Sequence, residues 1–197
     1  MRPLAKIAVF LAGLGAIGPA NAANFAEKGD AAFLLGGINA YDDYHFQEFL
    51  KLPRAAPLRI LYLHSKGGLV SEASNIARMV RKAGMATAVN AMRSPCESAC
   101  TLIFSGGVRR LYFGAQNVVD GIGGDRGLGY HRGNDLGATG EGVREDPLTT
   151  DKMNALYKEM GSPRAAQYTL KVSFDKMYRI SGATALKSGI ATSLAEP

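Results

Sequence analysis

Cys96-Glu97-Ser98-Ala99-Cys100-Thr101-Leu102-Ile103-Phe104 places a serine between two cysteines, just after Ser94-Pro95 and just before an apolar run. Pro95 disfavours helix at Ser94 and suits a helix's first turn, so the break falls immediately before this stretch. Ala99 to Ser105 reads as the helix body and Gly106-Gly107 as its stop. Ser98 then sits beside free backbone N–H groups at the positive end of a helix dipole, where developing negative charge is stabilised. Most serines at helix starts are simple caps. A catalytic reading therefore requires a base, an oxyanion hole and an orienting acid elsewhere in the chain.

Outward from this stretch, short apolar runs alternate with helical periodicity. Ala31 to Ile38 reads as a buried strand, Asp43 to Leu52 as an amphipathic helix closed by Pro53, and Leu58 to Leu63 as a second buried strand. Val70 to Ala83 is a helix with Ala73, Ile76, Ala77, Met79 and Val80 on its inner stripe and Gly84 after its end. Thr87 to Val89 and Arg110 to Phe113 read as two further strands, flanking the Ser98 helix. Strands alternating with helices at this spacing predict an α/β core with parallel strands and right-handed crossovers. Asn117 to Thr150 is glycine- and aspartate-rich and reads as a long irregular region, functional or mobile. Helical segments follow at Thr150 to Met160, within Pro163 to Met177, and at Ala183 to Ser188.

Residues 1–22 read as a secretory leader: Arg2 and Lys6, an apolar core from Ile7 to Ile17, and Ala20-Asn21-Ala22 before a cleavage site. Cleavage after Ala22 is the expectation, with an uncleaved anchor as the alternative; the apolar run falls short of the ~20 residues of a membrane span. The expected location is periplasmic or secreted. The remaining 175 residues, 23–197, suit one domain, and without Arg2 and Lys6 they carry 21 basic and 17 acidic residues, a net of +4. This charge is scattered, with no basic block or aromatic–basic stretch, so nucleic acid is not an expected partner. The two cysteines, Cys96 and Cys100, are four residues apart. In an oxidising compartment they are candidates for a disulfide fixing the backbone around Ser98, with two buried thiols as the alternative.

Leu63-His64-Ser65-Lys66-Gly67-Gly68 joins a strand to a helix, and its glycines allow backbone N–H groups to face a cleft. An unliganded tight turn fits equally well. The base must come from three histidines, His45, His64 and His131. A zinc site built from all three lacks close ligand spacing on one helix, so no metal is expected. Lys66 offers a serine–lysine dyad instead. Gly121-Ile122-Gly123-Gly124-Asp125-Arg126 lacks the last glycine of a dinucleotide fingerprint, and no cofactor is expected.

The succession Leu63-His64-Ser65-Lys66-Gly67-Gly68, Ser98-Ala99-Cys100, Gly129-Tyr130-His131 resembles the Clp protease proteolytic subunit and its exported ClpP-like relatives in the crotonase-like superfamily. Gly182 to Ile190 is similar to that family's closing helix. The resemblance implies a ClpP/crotonase-like core of repeated ββα units, Ser98 as nucleophile and His131 as base. It also implies an oxyanion hole on the Gly67–Gly68 turn and the Ala99 N–H, with Asp175 as acid. Three features depart from the pattern. Lys66 stands where the family has proline, and Asn117 to Arg126 lengthens the Ser98–His131 gap to 33 residues. Asp175 also lies two residues too far from Gly189. Asp135, Asp146 and Asp151 are the stand-ins. The implied activity is an exported serine peptidase acting on a peptide or protein, with a homo-oligomer in view and no ATPase partner. The rival is a binding or assembly protein that kept the fold and lost the chemistry, since fold does not dictate function. A coenzyme A hydratase does not suit an exported chain.

Overall fold

Three parallel segments, one strand of the first sheet and two of the second, lead into the predicted glycine turn, Ser98 and His131. The computed structural model describes residues 23–135 and 143–197; the leader expected at 1–22 lies outside the described residues, as do residues 136–142. The first sheet runs β1-β2-β3-β4-β6, comprising Asn24–Lys28, Ala31–Leu35, Ile60–His64, Ala86–Asn90 and Arg110–Phe113. Strand β1 pairs antiparallel to β2, and the other four are mutually parallel, with Leu34 opposite Leu63, Tyr62 opposite Ala88 and Val89 opposite Tyr112. Between them run α1 (Asp42–Lys51), α2 (Val70–Lys82) and α3 (Ala99–Gly106). The second sheet has the order β5-β8-β9-β7: Pro95–Glu97, Gly127–Tyr130, Tyr178–Arg179 and Gly121–Ile122. Three helices follow, α4 (Pro147–Glu159), α5 (Ala166–Thr169) and α6 (Gly182–Lys187), the last packing against β6 of the first sheet.

The period-two alternation of β3 divides the core. Leu61 and Leu63 face the main apolar cluster under α2 and α3, whereas Ile60 joins Ala88, Leu111 and Phe113 on the opposite face. On α2, Ala73, Ile76, Ala77 and Val80 are fully buried, a stripe at i, i+3, i+4 and i+7. All eight residues of α3 are buried, and it packs so closely on α2 that a Cβ at Gly106 would lie 2.5 Å from the Ala77 carbonyl oxygen. Arg81 of α2 donates to the carbonyls of Ser105 (2.9 Å), Gly106 (2.7 Å) and Gly107 (3.2 Å), and to Met160 after α4 (3.0 Å). A guanidinium on the last carbonyls of a buried helix satisfies acceptors that the helix cannot.

Two elements differ from the sequence reading. Pro95–Glu97 is a strand rather than the first turn of a helix. Cys96 bridges Ser65 on one side and pairs with Leu128 of β8 on the other, so its neighbours' backbone groups are bonded in the sheet. The 117–150 region is not irregular throughout, because it contributes β7 and β8. The helix expected within 163–177 is present as α5, preceded by a 3₁₀ turn (Pro163–Ala165).

Candidate active site

Ser98 joins β5 to α3 with φ 51° and ψ −126°, and only Tyr41 shares a positive φ among the described non-glycine residues. This strained backbone is held from both sides. The Ser98 N–H donates to the Gly129 carbonyl of β8 (2.9 Å), and the Ser98 carbonyl accepts from the Thr101 N–H (2.9 Å) and hydroxyl (2.6 Å). Thr101 is in turn 2.5 Å from the hydroxyl of Tyr157 on α4. A disulfide joins Cys96 to Cys100 across the turn, with Cα atoms 5.2 Å apart and both residues fully buried. Such over-determination is what allows an unfavourable conformation to persist.

The glycine turn after β3 lies directly against this serine. A Cβ at Gly67 would come 2.8 Å from the Ser98 Cβ and 2.7 Å from the Glu97 carbonyl; one at Gly68 would come 2.0 Å from the Ile38 carbonyl. Ile38 clamps the turn, donating to the Gly67 carbonyl and accepting from the Leu69 N–H, each at 2.8 Å. In this parallel bridge the N–H of Gly68 points away from Ile38. Neither the Gly68 nor the Ala99 N–H finds an acceptor among the described residues. Two unsatisfied donors beside a nucleophile are the elements of an oxyanion hole.

His131 follows β8 and is 7% exposed. Its Nδ1 lies 2.6 Å from the Arg132 carbonyl oxygen, which can only accept, so Nδ1 carries the proton and Nε2 keeps its lone pair. Burial is the largest influence on the imidazole and holds its pKa below the ordinary value; the Arg132 carbonyl and the Glu97 charge oppose it. Ser98 and His131 line one cleft of about 1000 Å³ with Lys66, Gly67, Gly68 and Asp135. Among the described residues no hydrogen bond joins Ser98 to His131. Nucleophile–base contacts are often long in free enzymes and tighten around substrate.

Asp175 is exposed, between α5 and β9, where its carboxylate accepts from the Ser173 hydroxyl; it does not line the cleft. Of its stand-ins, Asp135 and Asp146 line the cleft and Asp151 does not. Asp146 caps α4, accepting from the N–H groups of Leu148 and Thr149 at 3.1 Å. His45 and His64 lie outside the cleft. The former faces Asp42 on α1, and the latter has its Nδ1 3.2 Å from the Ser94 hydroxyl. Lys66 is on the cleft wall and exposed.

The structure adds supporting groups that sequence reasoning missed. Arg179 pairs with Glu97 and donates to the Gly127 carbonyl (3.1 Å), tying the strand that leads into Ser98 to β9 and β8. Ile38, Thr101, Tyr157 and the Arg132 carbonyl complete the frame. No sequence signal points to them, since each acts through a long-range contact or a backbone atom.

No protein-family model matches the sequence, and a sequence search among curated proteins finds no match. Solved structures do share the architecture. ClpP1 from Listeria monocytogenes aligns with a TM-score of 0.57 at 18% identity, over 85% of this chain and 92% of its own. The membrane-bound stomatin-specific protease 1510-N, in complex with a substrate peptide, aligns with a TM-score of 0.59 at 16% identity, over 85% of this chain and 74% of its own. Identity this low is a likeness of fold. Parallel strands, crossover helices and these structural neighbours together give this chain a ClpP-like α/β fold.

Proposed function

We propose that this protein is a serine hydrolase that cleaves peptide bonds. Ser98 Oγ attacks the carbonyl, His131 Nε2 takes its proton and returns it to the leaving amine, and the Gly68 and Ala99 N–H groups hold the oxyanion. The observation that carries the reading is Ser98 itself, held at φ 51° beside two unsatisfied N–H donors. The Arg132 carbonyl holds the Nδ1 proton, the orienting task that a carboxylate performs in a full triad. Removing one oxyanion donor typically costs 10²–10³ in rate. We propose further that the protein is exported, a reading supported by the leader-like residues 1–22 and by the disulfide, which belongs to oxidising compartments.

The test is covalent labelling with a fluorophosphonate probe. The native chain is expected to be labelled and Ser98→Ala to be silent; labelling that persists in Ser98→Ala overturns the assignment. A second reading, a binding protein without chemistry, is favoured by the missing Ser98–His131 hydrogen bond and by the position of Asp175 outside the cleft. It predicts no labelling of the native chain. A Ser98–Lys66 dyad is separated by the His131→Ala variant, which would stay active only under that scheme.

A further inference from the structure

Asp42 opens α1 with a carboxylate in a residue only 1% exposed. Its Oδ2 accepts from the Asn39 N–H (2.7 Å) and from the Ala23 nitrogen (3.2 Å). Oδ1 is buried and accepts no hydrogen bond from the described residues. The basic side chain opposite it is His45, whose Nδ1 is 3.7 Å from Oδ1 and whose own side chain is 59% exposed. At 3.7 Å His45 is beyond hydrogen-bond reach of Oδ1, so a buried carboxylate oxygen is left without a donor, and a cation placed closer removes much of that cost.

We infer that the cation is the α-ammonium of Ala23, created when the Ala22–Ala23 bond is cut. Two independent observations meet at that bond. The sequence places the small-x-small pattern Ala20-Asn21-Ala22 immediately before it, and the fold places the next nitrogen against a buried, half-satisfied carboxylate. The inference rests on residues 1–22 being a removable leader. Hydrolysis adds water across the peptide bond; Ala22 leaves with the new carboxylate and Ala23 keeps the amine. A free α-amine has a pKa of about 7.7–8.0, so at neutral pH this amine takes up a proton. The atom that donated one neutral N–H then carries a full charge and three donors, beside a carboxylate with an unused oxygen. Ala23 is half-buried and packs against the main core, which holds its nitrogen beside Asp42.

This pair also braces the candidate site. Asp42 holds the Asn39 N–H, and the preceding residue, Ile38, is the one that clamps Gly67 and Leu69. Removing the leader would thereby stiffen the oxyanion turn through two adjacent residues.

Two experiments separate the leader from the pairing, and neither depends on hydrolase activity. Sequencing the N-terminus of the chain exported with its own leader is expected to read Ala23 first; any other first residue overturns the processing step. Independently, chains starting at Ala23 and at Ala22 are released from a removable fusion and melted. The Ala23 chain should melt higher by on the order of 5–10 °C, and the difference should vanish in Asp42→Asn. Equal melting temperatures, or a difference that survives Asp42→Asn, overturn the pairing. Should Asp42→Asn not fold, an acetyl group on Ala23 removes the charge without lengthening the chain. The same loss of stability then supports the pair, and an unchanged melting temperature overturns it.

Discussion

Ser98 occupies a backbone conformation that costs energy in the resting protein, roughly 1–3 kcal/mol for a residue outside glycine. Glycine relieves that strain but is more flexible in the unfolded chain, which offsets part of the gain. Ser98→Gly is therefore expected to abolish probe labelling while raising stability by about 1 kcal/mol, or ~2–4 °C in melting temperature. A variant less stable than the parent would remove strain from the account. His131 makes a prediction in pH. Its folded pKa lies below the unfolded value of about 6.5, so its contribution to stability is complete above 6.5. As pH falls from 6.5 through the lowered folded value, the unfolded chain binds the proton first and stability declines. Urea titrations between pH 7 and pH 5 should show this decline and His131→Asn should flatten it. Hydrolysis should fall over the same acid range, because Nε2 must be unprotonated to act as base. The turn at Ser98 was legible in the sequence from a proline break and the apolar run after it, whereas His131 was picked from three histidines by family resemblance, and the structure places both on one cleft. The group opposite Nδ1 was not legible, since a backbone carbonyl leaves no residue type to recognise.

At the scale of elements, the Cys96–Cys100 bridge spans the junction of β5 and α3 and closes a loop too short to restrict the unfolded chain strongly. It fixes the approach to Ser98 in place. Reduction, or a Cys96→Ser/Cys100→Ser variant, is expected to lower kcat by about tenfold or more while far-ultraviolet dichroism stays native. A misplacement near 1 Å at a reacting group can cost about 10² in rate. Unchanged kinetics in reductant would show that the sheet bonds of Cys96 and the Thr101–Tyr157 contact hold the turn unaided. Helices α1 and α2 were readable to within a residue or two because an amphipathic stripe is a local pattern. Strand β5 was not, because Pro95 reads locally as a helix starter and only pairing with residues 30 or more positions away makes it a strand. Strand β1 was missed for a related reason: it is a largely exposed edge strand with a charged end, and β2 supplies all of its partners.

Across the whole molecule, the two sheets meet at Tyr112. Its hydroxyl lies between β6 of the first sheet and the second sheet, donating to the Ile180 carbonyl (3.0 Å) and accepting from the Leu128 N–H of β8 (3.2 Å). Burial pushes this phenol up to about 12, so it remains a donor at any working pH. Tyr112→Phe keeps the ring and orphans two buried backbone groups, an expected loss of about 1–3 kcal/mol in denaturant titration. Because β8 leads directly into His131, the same variant should loosen the cleft and raise amide exchange at Leu128. Protection at Leu128 equal to that of the parent would show that the sheets are coupled elsewhere. The sequence by itself determined the α/β class, the break before Ser98 and the glycine turn after β3, because hydrophobic period and turn chemistry are properties of neighbouring residues; His131 was singled out by resemblance to a family. Tertiary structure alone decided that Asp175 stands outside the cleft, that Ile38 clamps the glycine turn, and that Ala23 faces a buried Asp42. Each of these depends on which distant segments share a sheet edge or a cavity wall, and local patterns carry no record of that.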